Sequence, residues 1–147
     1  MIKNRSVPTD APLPNIAYQD VAKAGAWLSA TYGFVEHFRY NGDGGAVGGM
    51  QMHLGNAWIM LHQAKPGLLS PSQLGRGTQR VTIFVEDVTA HFSRTKAAGA
   101  KIIEDLHVTI YGEQQYGVED LDGHVWIFSQ HYRDVTPAEW GATIAPR

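Results

Sequence analysis

The sequence predicts an α+β fold built from two copies of one strand–helix–strand–strand–strand module. Three features carry that expectation. Tyr116–His131 (YGVEDLDGHVWIFSQH) reads as two apolar strands joined at Asp122-Gly123. Asp-Gly between alternating hydrophobic residues is a strong hairpin signal, because tight turns need φ > 0 where glycine meets no steric penalty. The first half of the chain ends on a similar strand, Asn56–Gln63 (NAWIMLHQ). Finally, Gln19-Asp20-Val21 precedes Glu86-Asp87-Val88 by 67 residues, and Gly33 precedes Gly99 by 66, so acid, helix and terminating glycine recur at one spacing.

The elements follow in order. Met1–Pro12 is polar and broken by prolines, and is expected to be an N-terminal arm (1–12). Leu13–Tyr18 opens the first module (13–63) as a strand, and Asp20 caps a helix over Val21–Thr31 that stops before Gly33. Val35–Tyr40, Met50–Leu54 and Ala57–Gln63 supply three more strands. The glycine-rich Asn41–Gly49 leads into a strand and not a helix, so it reads as a hairpin or lid and not a phosphate cradle. Residues 64–78, with Pro66, Gly67, Pro71, Gly75 and Gly77, form a linker.

The second module (79–131) repeats the order. Gln79–Val85 alternates Val81, Ile83 and Val85 against Arg80, Thr82 and Phe84. Asp87 caps a helix over Val88–Ala98, and Lys101–Leu106, Glu113–Glu119 and His124–Gln130 are strands. In the tail (132–147), Thr136, Pro137 and Glu139 match a capping box with proline at the first helical position. A short helix there presents Trp140, either to its own subunit or to a partner.

Composition narrows the function. The 147 residues are 44% hydrophobic and 18% charged, with a formal net charge of −2. No basic run suits nucleic acid or an acidic membrane. No apolar run approaches the roughly 20 residues that span a bilayer, and no secretory h-region opens the chain. Zero cysteines remove disulfides, thiolate metal sites and thiol nucleophiles. A cytoplasmic location is the expectation.

With Gln19-Asp20-Val21, Tyr32-Gly33-Phe34, Val81–Asp87 (VTIFVED) and Tyr116–Gln130 in this order, the chain resembles the vicinal oxygen chelate superfamily, also called the glyoxalase/bleomycin-resistance/dioxygenase superfamily. The resemblance runs over about residues 13–131. It implies two βαβββ modules forming an incomplete barrel around a cleft, commonly in a homodimer with modules paired or swapped. Metalloenzymes of that superfamily draw ligands from the first and last strand of each module. Carried across, those places fall on Leu13, Met60, Arg80 and Ile127.

A divalent ion needs imidazole, carboxylate or amide lone pairs. Leu13 and Ile127 offer none, Met60 is a soft thioether, and Arg80 is a fixed cation. The expected function is therefore binding of a small organic or antibiotic-like ligand, with no metal or other cofactor, as in the drug-sequestering members of the superfamily. Phe38, Tyr40, Trp58, Met60, His62, Arg80, Phe84, Gln114 and Ile127 are the candidate cleft residues. A flat, partly aromatic ligand suits that mixture. No catalytic residue is assigned, and the reading leans away from an enzyme.

Two alternatives stand beside it. One is a divalent-metal glyoxalase-like lyase or isomerase, thiol transferase or extradiol-type dioxygenase, with His62 joined by His37 and His53. The other is a regulatory module sensing a metabolite. Glu36, Glu113, Glu119 and Asp120 are the nearest carboxylates, the last two reading as solvated turn residues. His124 is assigned to the turn, while His91 and His107 show no evident partner.

Overall fold

The computed structural model describes Ile2 and Ser6–Arg147, so part of the expected arm (Met1, Lys3, Asn4 and Arg5) lies outside the described residues. The described residues form two compact units. One comprises the described residues up to Gln79 together with the turn Asp120–His124; the other comprises Arg80–Glu119 and Val125–Arg147.

The first unit holds β1 (Asn15–Tyr18), α1 (Val21–Tyr32), β2 (Val35–Asn41), β3 (Val47–Leu54), β4 (Ala57–Gln63) and a short α2 (Pro71–Leu74). Its sheet order is β1-β4-β3-β2, with β1 parallel to β4 and the other pairs antiparallel. Asp20 caps α1 by accepting from the Lys23 N–H, and Gly33 closes it at φ 87°. Val21, Ala24, Leu28 and Tyr32 recur every three or four residues and are fully buried, as one face of a 3.6-residue helix requires. They cover the sheet face of Ile16, Tyr18, Met50, Met52, Ile59 and Leu61. Gly25 lets the helix come down onto β3, since a Cβ there would run into the Met50 thioether.

The second unit repeats this plan with β5 (Arg80–Phe84), α3 (Val88–Ala97), β6 (Lys101–Val108), β7 (Glu113–Glu119) and β8 (Val125–His131), in sheet order β5-β8-β7-β6. Asp87 caps α3 through the Ala90 N–H. The 67-residue offset holds at the level of pairing. Asn15 faces Met60 across β1 and β4, and Thr82 faces Ile127 across β5 and β8. Tyr116, Val118, Trp126 and Phe128 fill the core. Trp126 and Phe128 lie nearly parallel with centroids 6.3 Å apart. A fully buried aromatic side chain removes about 150–250 Å² from water, or roughly 4–6 kcal/mol as an upper bound.

The chain is thus α+β with two βαβββ modules, as the repeat predicts. Three local expectations change. The stretch 64–78 contains α2, begun by Ser70 and Gln73 in a capping box with Pro71 at its start and stopped by Gly75 at φ 77°. β3 starts at Val47, inside the supposed glycine loop, because Val47 pairs with Asn41 of β2, and Gly49 pairs with Tyr40 of β2 and His62 of β4. Asp120 is buried and not solvated: it accepts from the Tyr18 hydroxyl at 2.7 Å and from the backbone N–H groups of Asp122 and His124. The capping box at Thr136 and Glu139 forms as expected, over a single 3-10 turn, Pro137–Trp140. No helix among the described residues is long and apolar enough to cross a membrane.

Candidate functional site

Each sheet has one face under a helix and one face without. On the first unit's helix-free face, direct cross-strand neighbours give two rows: Asn15, Met60, Gln51 and Phe38, and then Ala17, His62, Gly49 and Tyr40. Trp58 lies opposite His53 in the next row. Phe38, Tyr40, Trp58, Met60 and His62 therefore share a face. Leu13 precedes β1 by two residues.

Packing explains the arrangement. A register shift between Glu36 and Phe38 makes His37 the extra residue, and its Nδ1 lies 2.8 Å from Gln51 Oε1. The Trp58 ring meets His53 at 4.6 Å and His37 at 5.4 Å. The Tyr40 ring lies over Gly49, where any Cβ would strike it. His62 Nε2 is 2.5 Å from Asn15 Oδ1. His53 Nδ1 also lies 3.2 Å from the Gly55 carbonyl, so His37, His53 and His62 are each engaged with an amide, a ring or a carbonyl. Among the described residues no three His, Asp or Glu side chains gather closely enough to hold a metal ion.

The second unit carries a depression of about 160 Å³ lined by Arg80, Thr82, Phe84, Tyr111, Glu113, Gln115, Ile127 and Ser129. Alternation on three neighbouring strands produces it. Phe84, Ser129 and Gln115 form one row, and Thr82, Ile127 and Gly117 the next. Gly117 leaves room for the Ile127 and Glu104 side chains, which a Cβ would crowd at 3.1 Å. Phe84 is 65% exposed, an unusual state for a phenylalanine ring.

Gln114 does not belong with these residues. It pairs with Gln130, whose side chain accepts from the Val88 N–H at the start of α3, so Gln114 lies on the helix side. The reason is the two-residue period of a strand: Tyr116 and Val118 are core, and Gln114 shares their phase. That apolar pair was the available signal, and it points to Glu113 and Gln115 for the open face. Tyr111 was missed because it sits in a turn, where no periodicity applies.

Two buried atoms on residues that line the depression, Glu113 Oε2 and Ser129 Oγ, have no hydrogen-bond partner among the described residues. The other Glu113 oxygen is 3.5 Å from His131 Nδ1, while His131 Nε2 is 2.8 Å from Asp134. Hydrogen bonds that the imidazole donates to Asp134 first, then to Glu113, raise His131 above its ordinary value. Asp134→Asn is expected to bring it back down, read as the midpoint of the His131 ring-proton titration by NMR. An unchanged midpoint would show that Asp134 is not the dominant partner.

His91 and His107 do have partners. His91 Nδ1 meets the Tyr116 hydroxyl at 2.5 Å and its ring lies 4.2 Å from that of Phe128, whereas His107 Nε2 is 2.6 Å from Glu104. Burial drives the Tyr116 phenol up, against the lowering effect of its bond to Thr95, so it stays protonated. Trp140 places its ring 5.5 Å from Tyr111, beside the depression.

Comparison with known proteins fits this architecture. A family model described as the Glyoxalase/Bleomycin resistance protein/Dioxygenase superfamily matches residues 12–128. TioX from Micromonospora sp. ML1 is 32% identical, with 81% of this chain and 96% of that chain covered and a TM-score of 0.68. The fold is also shared with a glyoxalase/bleomycin resistance protein/dioxygenase from Alicyclobacillus acidocaldarius, at 13% identity, 85% and 93% coverage, and a TM-score of 0.66. An uncharacterized protein of Mycobacterium bovis is 26% identical over 137 residues, 90% of each chain. The repeat, the paired βαβββ sheets and these matches agree: the chain belongs to the glyoxalase/bleomycin resistance protein/dioxygenase superfamily.

Proposed function

We propose that this protein binds a small, partly aromatic, antibiotic-like molecule on its helix-free sheet faces, without a metal and without covalent change to the ligand. The observation that carries the reading is the chemistry at Arg80 and Ile127. Both line the depression of the second unit, and both stand at positions that the family resemblance assigns to metal ligands. A guanidinium repels a cation and an isoleucine has no lone pair to give one, so these residues do not fit a divalent ion. Met60 and Leu13 are no better in the first unit. What the faces do offer is ring surface with a few polar groups, the usual composition of a small-molecule site. The family's description, which includes bleomycin resistance proteins, favours an antibiotic-like ligand. We further propose a homodimer, as the family resemblance implies, and a cytoplasmic location, as the composition suggests.

The test is a melting-temperature screen of the full chain against aromatic antibiotics and metabolites, each with and without chelator and divalent metals. A true ligand raises the melting temperature by mass action, and the rise is expected to survive chelation. Stoichiometric metal retained after reloading and dialysis, together with turnover of a glyoxalase- or dioxygenase-type substrate, would replace this reading with the metalloenzyme one. Sedimentation as a monomer throughout would remove the dimer.

A further inference from the structure

The depression on the second unit also indicates what kind of molecule it takes, an inference that rests on the ligand-binding reading above. Ser129 is wholly buried, yet its hydroxyl has no partner among the described residues, and the same is true of the buried Glu113 Oε2. Buried polar atoms are nearly always satisfied, so two orphans lining one depression ask for an explanation. Their positions make a common one available. Ser129 faces Gln115 across β7 and β8, and Glu113 faces His131, so the two orphans are diagonal neighbours on one face. Such neighbours lie about 7–8 Å apart at the backbone, within the span of one polar head group between two side chains.

A carboxylate only accepts, so whatever satisfies Glu113 must donate. Beside it are the exposed Phe84 ring and the Tyr111 ring, which favour a flat partner. Arg80 lines the same depression and favours the opposite charge, but it is exposed and keeps its water. The gain from ligand binding is larger at the atom already stripped of water and still unpaired. We infer that the Glu113–Ser129 pair recognises a nitrogen donor on an aromatic ring, an aromatic amine or amidine, with the ring against Phe84.

The experiment uses three ring probes that differ only in their head group: benzamidinium, benzoate and benzyl alcohol. Each is titrated into the isotope-labelled full chain and followed by the backbone amides of Glu113, Gln115 and Ser129. Benzamidinium is expected to bind about tenfold more tightly than either other probe, the ratio appropriate to one charge-assisted hydrogen bond to a buried acceptor. Glu113→Gln is expected to abolish that preference while leaving benzyl alcohol within about twofold. Ser129→Ala is expected to weaken benzamidinium several-fold while leaving the melting temperature equal or higher, which a merely structural serine would not do. Benzoate binding as tightly as benzamidinium, or a preference that survives Glu113→Gln, would overturn the inference and leave the broader reading standing. If none of the three rings perturbs this face, and the antibiotic screen is also blank, both fall together.

Discussion

Asp122→Ala is expected to destabilise the protein by about 3 kcal/mol, a drop of roughly 6–12 °C in melting temperature for a chain of this size. Asp122 is only 4% exposed and accepts four hydrogen bonds. The Gln19 backbone N–H reaches Oδ2 at 2.7 Å. The Gln19 side-chain amide, Ser72 and Ser70 converge on Oδ1 at 2.5, 2.5 and 3.1 Å. Truncation leaves these donors facing a cavity, and hydrogen bonds to a charged group are each worth more than neutral ones.

The same residue sets an acid limit. Burial pushes the Asp122 carboxyl up, but the hydrogen bonds from Ser72, Gln19 and Ser70 together outweigh it and hold it below the ordinary carboxylate value. A depressed folded pKa means the stabilisation is fully present above the unfolded value of about 3.9 and is lost as pH falls below that through the lower folded value. Asp122→Asn keeps one acceptor but cannot titrate. Its melting temperature is therefore expected to fall less steeply than the wild type's between about pH 5 and pH 2. Parallel curves would remove Asp122 from the account of acid unfolding.

The second large effect is expected at Gly112. Its φ of +91° costs an L-residue about 1–2 kcal/mol, and a Cβ there would collide with the Arg133 carbonyl and press on Val135. The Gly112 carbonyl also accepts the N–H groups of Tyr132 and Arg133 at 2.9 and 3.0 Å, which fastens the start of the tail to the turn between β6 and β7. Gly112→Ala is expected to cost about 2–4 kcal/mol and to speed hydrogen exchange at Tyr132 and Arg133 far more than in the strands. Because Tyr111 is the adjoining residue and lies against Trp140, the indole emission of that tail should shift as well. Unchanged exchange at both amides would show that the tail is held by something else.

The architecture was legible because its signals are local. Asp20 and Asp87 cap helices, the helices close near Gly33 and Gly99, and alternation marks strands; all of these act within a few residues and all reappear in the structure. Strand phase was legible where apolar residues fixed it, as at Ile59 and Leu61, and so the face shared by Trp58, Met60 and His62 followed. It failed at Gln114, where three polar residues in a row precede Tyr116 and the eye has no apolar anchor on the near side. The polar networks were not legible at all. Nothing in the local sequence says that Asp122 receives donors from Gln19, Ser70 and Ser72, which lie 50 to 103 residues away. The orphaned Ser129 hydroxyl is likewise invisible in sequence, since a serine on a strand is ordinarily solvated.

The turn Asp120–His124 is grouped by its contacts with residues 1–79, although the strands on either side of it belong to the other unit. What began as a tandem copy is therefore no longer divisible at the midpoint of the gene. A fragment ending at Gln79 would encode a four-stranded half that lacks the aspartates its own Tyr18, Gln19 and α2 serines bond to. The earlier half of the chain thus depends on five residues encoded far downstream.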